Sequence, residues 1–448
     1  MYADLAEPAA PRSDAEEPGP EDALDCAESV RVYSERCKAA LTRLKNRIEV
    51  TPKWDFYKSF SNRYEKIYML GNCVFVNERE NKAPTSRAFF KLWELVCEHW
   101  DVFEAIIASP DARRFAYVAE GPGSFVEAVV SMRSRVQREP RASGQLRDAH
   151  AGISLRSSGY SVPVWRLNRR WCERNDVRIS YGSDGTGNIY ALDNVDAFVT
   201  DAGGRASCDM VTGDGGFDFS SDFNEQEANM LPMLVSEVLC CMMLLRPGGA
   251  AVVKLFDTFN ENTIELLHVL RRSFATVRIC KPSASRPANA ERYLVCAGFA
   301  AGERHAAAAA AVRVMREWLA PSPRQKGPVK PQTSELAAAF AALRRAGGHE
   351  DRGFAELVYR INVSFALKQI RYIEDTLEHA RLKTDAGADG ARLRREQIRC
   401  ADEWRDAYMR TFPPPRAGAP PARLPDRIAH SPVSCAHTSL ISPSVDTL

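Results

Sequence analysis

The sequence predicts an α/β protein: a mostly parallel seven-stranded sheet with helices on both faces, extended at the C-terminus by further helices. Two observations predict it. Phe115-Ala116-Tyr117-Val118-Ala119 is a short apolar strand that runs into Glu120-Gly121-Pro122-Gly123-Ser124-Phe125 and then a helix over 126–135. Strand, glycine turn and helix open a nucleotide-binding α/β unit. Six more apolar stretches follow, at 151–155, 177–181, 208–212, 250–257, 276–280 and 293–299. Most alternate with segments of helical spacing, the pattern of a parallel sheet wound by crossovers.

Composition bounds the function classes. The chain has 448 residues, 45% of them hydrophobic, enough for a large core and a second unit. Lys and Arg number 60 against 58 Asp and Glu, a net charge of +2. Any nucleic-acid surface must then be a local patch. The 12 cysteines show no CxxC pair and no Cys/His metal spacing. That suits a reducing compartment and argues against a structural zinc. Residues 1–25 are acidic, rich in Pro and Ala, and carry no targeting pattern. The longest apolar run, 230–245, contains Pro232 and Glu237 and makes a poor membrane span. A soluble intracellular protein is expected, in cytoplasm or nucleus.

Taken in order, residues 1–25 read as disordered, and 26–83 as a helical and aromatic extension. Within it, residues 54–64 interleave aromatics with Lys and Arg. This reads as a helix packed on the main domain, with RNA contact as the alternative. From Ser86 to about Ile107 runs an amphipathic helix with Thr85 or Ser86 as its N-cap. Residues 136–148 read as a loop. Trp165, Arg166, Arg169, Arg170 and Arg174 form the densest basic patch, either a solvated face or a phosphate contact. Residues 182–187 form a turn-rich loop at a strand's C-terminal end, where α/β folds bind ligands. Residues 194–202 are helical and stop at Gly203-Gly204. A long helix over 224–245 leads into the strand that carries Lys254, and 261–272 is again helical. The last two strands, joined by a polar loop, make an antiparallel finish. Beyond the domain at 84–302, residues 303–412 read as helical around a linker at 321–331, and 413–448 as a disordered tail.

Four polar residues stand out, each at the end of a predicted core element: Lys91, Asp214, Lys254 and Glu291. Lys254 sits in Ala250-Ala251-Val252-Val253-Lys254-Leu255-Phe256-Asp257, where a buried lysine costs free energy unless it is paired or neutral. Alone it reads as a side chain snorkelling at a strand end. Asp214 lies between glycines in Gly213-Asp214-Gly215-Gly216-Phe217, straight after a core strand.

Together with Ser86-Arg87-Ala88-Phe89-Phe90-Lys91, the glycine loop at 120–125 and Ser285-Arg286-Pro287-Ala288-Asn289-Ala290-Glu291-Arg292-Tyr293, these pieces resemble the FtsJ-like RNA ribose 2′-O-methyltransferases. They are most similar to the branch that acts on mRNA caps. The resemblance covers about 84–300, and the helical appendage resembles that of FtsJ-like proteins from large eukaryotic DNA viruses.

The resemblance implies a Rossmann-like fold that binds S-adenosylmethionine (SAM) and methylates the first transcribed nucleotide of capped mRNA. It implies Lys254 as the base for the ribose hydroxyl, Lys91 as the neighbouring cation, and Asp214 and Glu291 as the carboxylates that orient them. Glu120, Gly121, Pro122, Gly123, Ser124 and Phe125 would hold the methionine end of SAM together with Asp214, and Asp184 the adenine side. Ser124 replaces a common second glycine and Tyr117 a common acidic residue; Glu120 is the candidate to supply the missing carboxylate. Arg286, Arg166 and Arg169 are candidate RNA contacts, and Tyr57, Tyr64 and Trp165 candidates to stack the cap guanine. The C-terminal helices are a candidate surface for a protein partner. A ribosomal RNA methyltransferase and a non-catalytic RNA-binding scaffold are the competing readings. An ATP or NAD enzyme is disfavoured, since no Walker A or GxGxxG sequence is present.

Overall fold

The computed structural model of the chain describes residues 2–4, 20–70, 84–137, 147–156, 164–216, 224–302, 304–320, 333–346, 352–383 and 388–414. Eight strands form one sheet: β1 (Tyr2–Asp4), β2 (Arg114–Val118), β3 (Ala149–Ile153), β4 (Val177–Ser180), β5 (Cys208–Gly213), β6 (Leu245–Leu255), β7 (Thr276–Cys280) and β8 (Arg292–Ala297). Their spatial order is β1-β7-β8-β6-β5-β2-β3-β4. Strands β2 to β6 are parallel, and β8 lies antiparallel between β6 and β7. Seven of the eight strands are those expected from the sequence, including the antiparallel finish. The order of connection reverses between β2 and β5, which opens a crevice beyond their C-terminal ends. Ligands bind open α/β sheets at such a switch point.

The helices are α1 (Pro20–Glu49), α2 (Trp54–Ser61), α3 (Ala88–Glu98), α4 (Trp100–Ile107), α5 (Ser124–Val136), α6 (Arg169–Arg174), α7 (Leu192–Asp201), α8 (Gln226–Leu244), α9 (Glu261–Ser273), α10 (Arg304–Leu319), α11 (Thr333–Ala346), α12 (Arg352–Arg381) and α13 (Ala388–Arg405), with a 3-10 turn at Glu65–Leu70. Helix α8 is long and apolar enough to cross a membrane. Most of it is instead buried against the sheet, in one cluster with Val211, Ala251 and Leu294.

Two expectations are corrected. Residues 1–25 are not wholly without structure: Tyr2–Asp4 pair antiparallel with Cys280, Ile279 and Arg278 at the sheet edge, and α1 begins at Pro20. The helix expected over 86–107 is two helices. At His99 the backbone leaves the helical region (φ −117°, ψ 40°), and its imidazole lies 3.1 Å from the buried Cys280 thiol. The N- and C-terminal extensions pack on each other and on the central domain. Cys37, Leu41 and Leu44 of α1 share an apolar cluster with Val363, Ala366 and Ile373 of α12, and with Phe259 of the central domain. Trp404 of α13 is fully buried in the same cluster as Phe90, Trp93 and Tyr293. Truncating such an aromatic costs about 3–5 kcal/mol, so the extensions are part of the fold around the site. Residues 138–146 of the expected loop, the linker and the tail from 415 lie outside the described residues.

Candidate active site

The sheet register brings the four polar residues together. Strand β6 pairs with β5 on one side (Gly213 opposite Val253) and with β8 on the other (Lys254 opposite Tyr293). Lys254, next to last in β6, therefore lies between Asp214, one residue past β5, and Glu291, one residue before β8. Lys91 reaches the same place from the first turns of α3, whose apolar face (Phe89, Phe90, Leu92, Trp93) is buried.

Two ion pairs result. Lys91 Nζ lies 2.7 Å from Glu291 Oε1 and donates to Oε2 at 2.9 Å. Lys254 Nζ lies 3.2 Å from Asp214 Oδ1 and donates to the Asp214 carbonyl at 2.7 Å. Tyr293 donates its hydroxyl to Asp214 Oδ1 at 3.0 Å, and Ser285 to Glu291 Oε1 at 2.7 Å. Burial of Lys254 favours its neutral form, but the carboxylates of Asp214, Glu291 and Glu237 outweigh it and hold the ammonium charged, above the usual lysine range. Burial would raise the Glu291 carboxyl, yet Lys91 and Lys254 pull it down to about 2.

The glycine loop fills the crevice end of β2. Gly123 has φ +108°, and a Cβ there would meet the Leu167 side chain at 2.6 Å, so only glycine fits. The segment across the loop is 165–167: the Trp165 ring lies against Gly152, and Arg166 donates its backbone N–H to the Pro122 carbonyl at 3.1 Å. Gly121 N–H donates to Ser154 Oγ at 3.2 Å. Ser124, standing where a second glycine is common, donates to Ser86 Oγ at 2.8 Å and so ties this loop to the start of α3. Phe125 is fully buried. Tyr117, standing where an acidic residue is common, is buried beside His150, with Oη 2.8 Å from Nδ1.

Glu237 is the residue that sequence reading missed. It lies on the apolar helix α8, is fully buried, and accepts the Gly215 N–H through Oε1 at 2.8 Å, while Oε2 has no hydrogen-bond partner. Burial pushes its carboxyl up to about 8. Buried Glu120 is likewise pushed well up, by burial and by Asp214, and accepts from Thr212 at 3.2 Å. The only sequence signal for Glu237 was an acid inside an apolar helix. Three carboxyl groups thus converge outside β2 and β5, one with a bare oxygen. A ligand that brings positive charge relieves that arrangement, and the ammonium and sulfonium of SAM fit it.

Lys281 is a second residue the sequence did not single out. Its ammonium donates to the Asn289 carbonyl (2.8 Å), Asn289 Oδ1 (2.9 Å) and the Glu291 carbonyl (2.8 Å), which fixes the loop that carries Glu291. Burial, partly offset by Glu291, lowers it to about 7.

The other candidates are not brought to the tetrad. Asp184 is exposed at the end of β4, two strands from β2, and its Oδ1 accepts from Thr186 N–H (2.8 Å) and Oγ1 (2.7 Å). Arg166 and Arg169 are exposed, the latter paired with Glu173 at 2.9 Å. Arg286 does reach the site's edge, held by Glu65 at 2.7 and 3.1 Å. Tyr64 is buried and the Trp165 ring packs on Gly152; both serve packing. Phe217 lies outside the described residues.

Comparison with known proteins identifies the family. The profile of the FtsJ-like methyltransferases matches residues 84–299. A cap-specific mRNA (nucleoside-2′-O-)-methyltransferase of Autographa californica nuclear polyhedrosis virus is 30% identical over 48% of this chain and 74% of its own length. Cap-specific mRNA (nucleoside-2′-O-)-methyltransferase 1 of Trypanosoma cruzi is 33% identical over 48% of this chain and 56% of its own, and that of Mus musculus 29% over 59% and 30%. Among solved structures, a Plasmodium falciparum protein named as a ribosomal RNA methyltransferase aligns at TM-score 0.32 and 19% identity over 48% of this chain and 97% of its own, too loose a likeness to argue from. The chain belongs to the FtsJ-like methyltransferase family, whose members use SAM as methyl donor. It spans about half the length, or less, of the trypanosome and vertebrate relatives it matches.

Proposed function

We propose that the protein transfers a methyl group from SAM to the ribose 2′-hydroxyl of the first transcribed nucleotide of capped mRNA. The observation that carries this is the pair of lysine–carboxylate bridges, Lys91–Glu291 and Lys254–Asp214, meeting at the C-terminal end of β6 beside the switch point. Four relatives named as cap-specific methyltransferases, from a virus, a trypanosome, a fish and a mouse, support the choice of capped mRNA.

SAM, when bound, supplies an electrophilic methyl on a sulfonium. Gly121, Pro122, Gly123, Ser124 and Phe125 hold its methionine end, with Glu120, Asp214 and Glu237 facing its positive charge; Asp184 is the candidate on the adenine side. Lys254 Nζ takes the 2′-hydroxyl proton. At rest it is an ammonium; in the complex with SAM and RNA it gives that proton to solvent, helped by the positive charge that offsets Asp214, and so serves as a base. Lys91 and Glu291 keep the ribose edge of the site in place, and Arg286, Arg166 and Arg169 contact the RNA backbone. Holding the 2′-oxygen in line is the larger part of the work.

Helices α10 to α13 brace the domain, and their exposed faces are where a protein partner would dock. The compartment is the one in which mRNA is capped, nucleus or cytoplasm, or a viral factory.

The test is mass spectrometry of a short RNA with a methylated guanosine cap, incubated with purified protein and SAM. One added methyl on the first ribose is expected. No methyl on capped RNA, with SAM bound in a calorimeter, overturns the choice of substrate.

A further inference from the structure

Two side chains in the first turn of α5 hold the entry to α3. Glu127 accepts from Thr85 with both carboxylate oxygens: the backbone N–H at 2.8 Å through Oε2 and the hydroxyl at 2.7 Å through Oε1. Ser124 donates to Ser86 Oγ, which in turn accepts the Ala88 N–H at 3.2 Å in the first turn of α3. The helix dipole alone favours an acidic residue near the start of α5. It does not call for a partner 42 positions away that occupies both oxygens.

This tie joins the two halves of the site. The Glu127 N–H donates to the Gly123 carbonyl at 3.1 Å, so its turn continues the glycine loop directly. Lys91 lies six residues beyond Thr85, on α3. Phe89 and Trp93 of α3 share an apolar cluster with Val126 and Val129 of α5. Apolar burial holds the two helices together but is non-directional. The hydrogen bonds to Thr85 and Ser86 add direction and fix where along α5 the helix α3 begins. A displacement of about 1 Å would open the 2.7 Å contact of Lys91 with Glu291, and misplacements of that size can cost about a hundredfold in rate.

We propose that Glu127 is a positioning residue for methyl transfer: acting through Thr85, alongside the Ser124–Ser86 bond, it ties the cofactor loop to α3 and sets Lys91 against Glu291. This rests on the function proposed above. SAM held at the glycine loop then steadies α3 through the same tie.

The experiment uses the full chain as wild type, Glu127→Ala, Glu127→Gln and Thr85→Val. Three quantities are read: kcat and KM for methylation of capped RNA, the Kd for SAM by calorimetry, and amide hydrogen exchange over 84–92 with and without SAM. Glu127→Ala is expected to lower kcat roughly tenfold to a hundredfold, with the Kd for SAM unchanged. Glu127→Gln should recover most of that rate, since its amide oxygen accepts the Thr85 N–H and its amide nitrogen donates to the Thr85 hydroxyl. Thr85→Val removes one of the two bonds from the other side and should fall between. SAM should slow exchange over 84–92 in the wild type and in Glu127→Gln, but not in Glu127→Ala. A fall in kcat matched by an equal loss of SAM affinity, or no recovery in Glu127→Gln, shows general loosening and overturns the role. Full activity and unchanged protection in Glu127→Ala overturn it as well, and leave the methyltransferase reading standing. SAM-dependent protection that is lost in Glu127→Ala, with no methylation of capped RNA by the wild type, does the reverse.

Discussion

Trp404 of α13 donates its indole N–H to Glu94 at 2.7 Å, and the same carboxylate accepts the N–H groups of Ser283 (2.5 Å) and Ala284 (3.1 Å). A C-terminal helix far from the motifs in sequence thereby fixes the start of the loop that carries Arg286 and Glu291. Truncation here is expected to disturb catalysis through that loop. In Trp404→Phe, which keeps most of the ring but loses the donor, one buried hydrogen bond is lost and its acceptor left short of a partner, about 1–3 kcal/mol. The melting temperature should fall, and kcat for methyl transfer with it, while the Kd for SAM stays. A loss of SAM binding equal to the loss of rate would mean general unfolding instead.

Lys254→Ala is expected to lower turnover by roughly two to four orders of magnitude, the range for removal of a positioned base. SAM binding should change little in a calorimeter. Lys254→Arg decides between the two roles of the side chain. It keeps the charge beside Asp214 but cannot give up its proton, so it should be as inactive as alanine. An active arginine variant would leave Lys254 a charge for orientation only.

Glu237 makes SAM binding pH-dependent. Its folded pKa of about 8 leaves it mostly protonated at neutral pH. A cation beside it favours the carboxylate, so binding should release a proton. Calorimetry at pH 7 in buffers of different ionisation enthalpy reads that release directly. Affinity should rise with pH up to about 8 and then level off, and Glu237→Gln should abolish the proton release. The stability term has the opposite slope. A raised acid pKa stabilises fully below the ordinary glutamate range, and that contribution is lost as pH rises through 8.

Glu291 sets part of the acid limb. Its folded pKa of about 2 lies below the ordinary glutamate value. Its ionised form therefore stabilises the fold by about 3 kcal/mol, present above about pH 4.3 and lost as pH falls towards 2. Buried His150, lowered to about 4 mainly by burial, loses its contribution higher, as pH falls from about 6.5 through 4. Denaturation midpoints from pH 7 to 2 should flatten at the lower limb only in Glu291→Gln. A Glu291→Gln variant that keeps the lower limb would show that other carboxylates carry it.

Much of this was legible in the sequence because the signals are local. The strands from 115 to 299 announce themselves by apolar runs between turn residues, and Gly123 by the conformation only it can hold. Lys254 stands out against apolar neighbours and Asp214 against glycines, while Lys91 and Glu291 were singled out with them by the motifs they sit in. Asp184 drew attention by sitting after a strand, but its carboxylate is used within its own turn. Glu237 drew none as a ligand, since one acid in an apolar helix reads as a defect until the opposing Gly215 N–H and Asp214 are in place.

The sequence by itself thus determined seven of the eight strands and the chemical types at the site, set by hydrophobic period and backbone freedom. The tertiary structure alone decided which charges face which. Lys45 of α1 meets Asp257 at 3.0 Å across 212 positions, Arg286 meets Glu65 across 221, and Trp404 meets Glu94 across 310. Ion pairs and hydrogen bonds depend on distances of a few ångströms. Those distances exist only once the extensions at both ends of the chain have packed around the core.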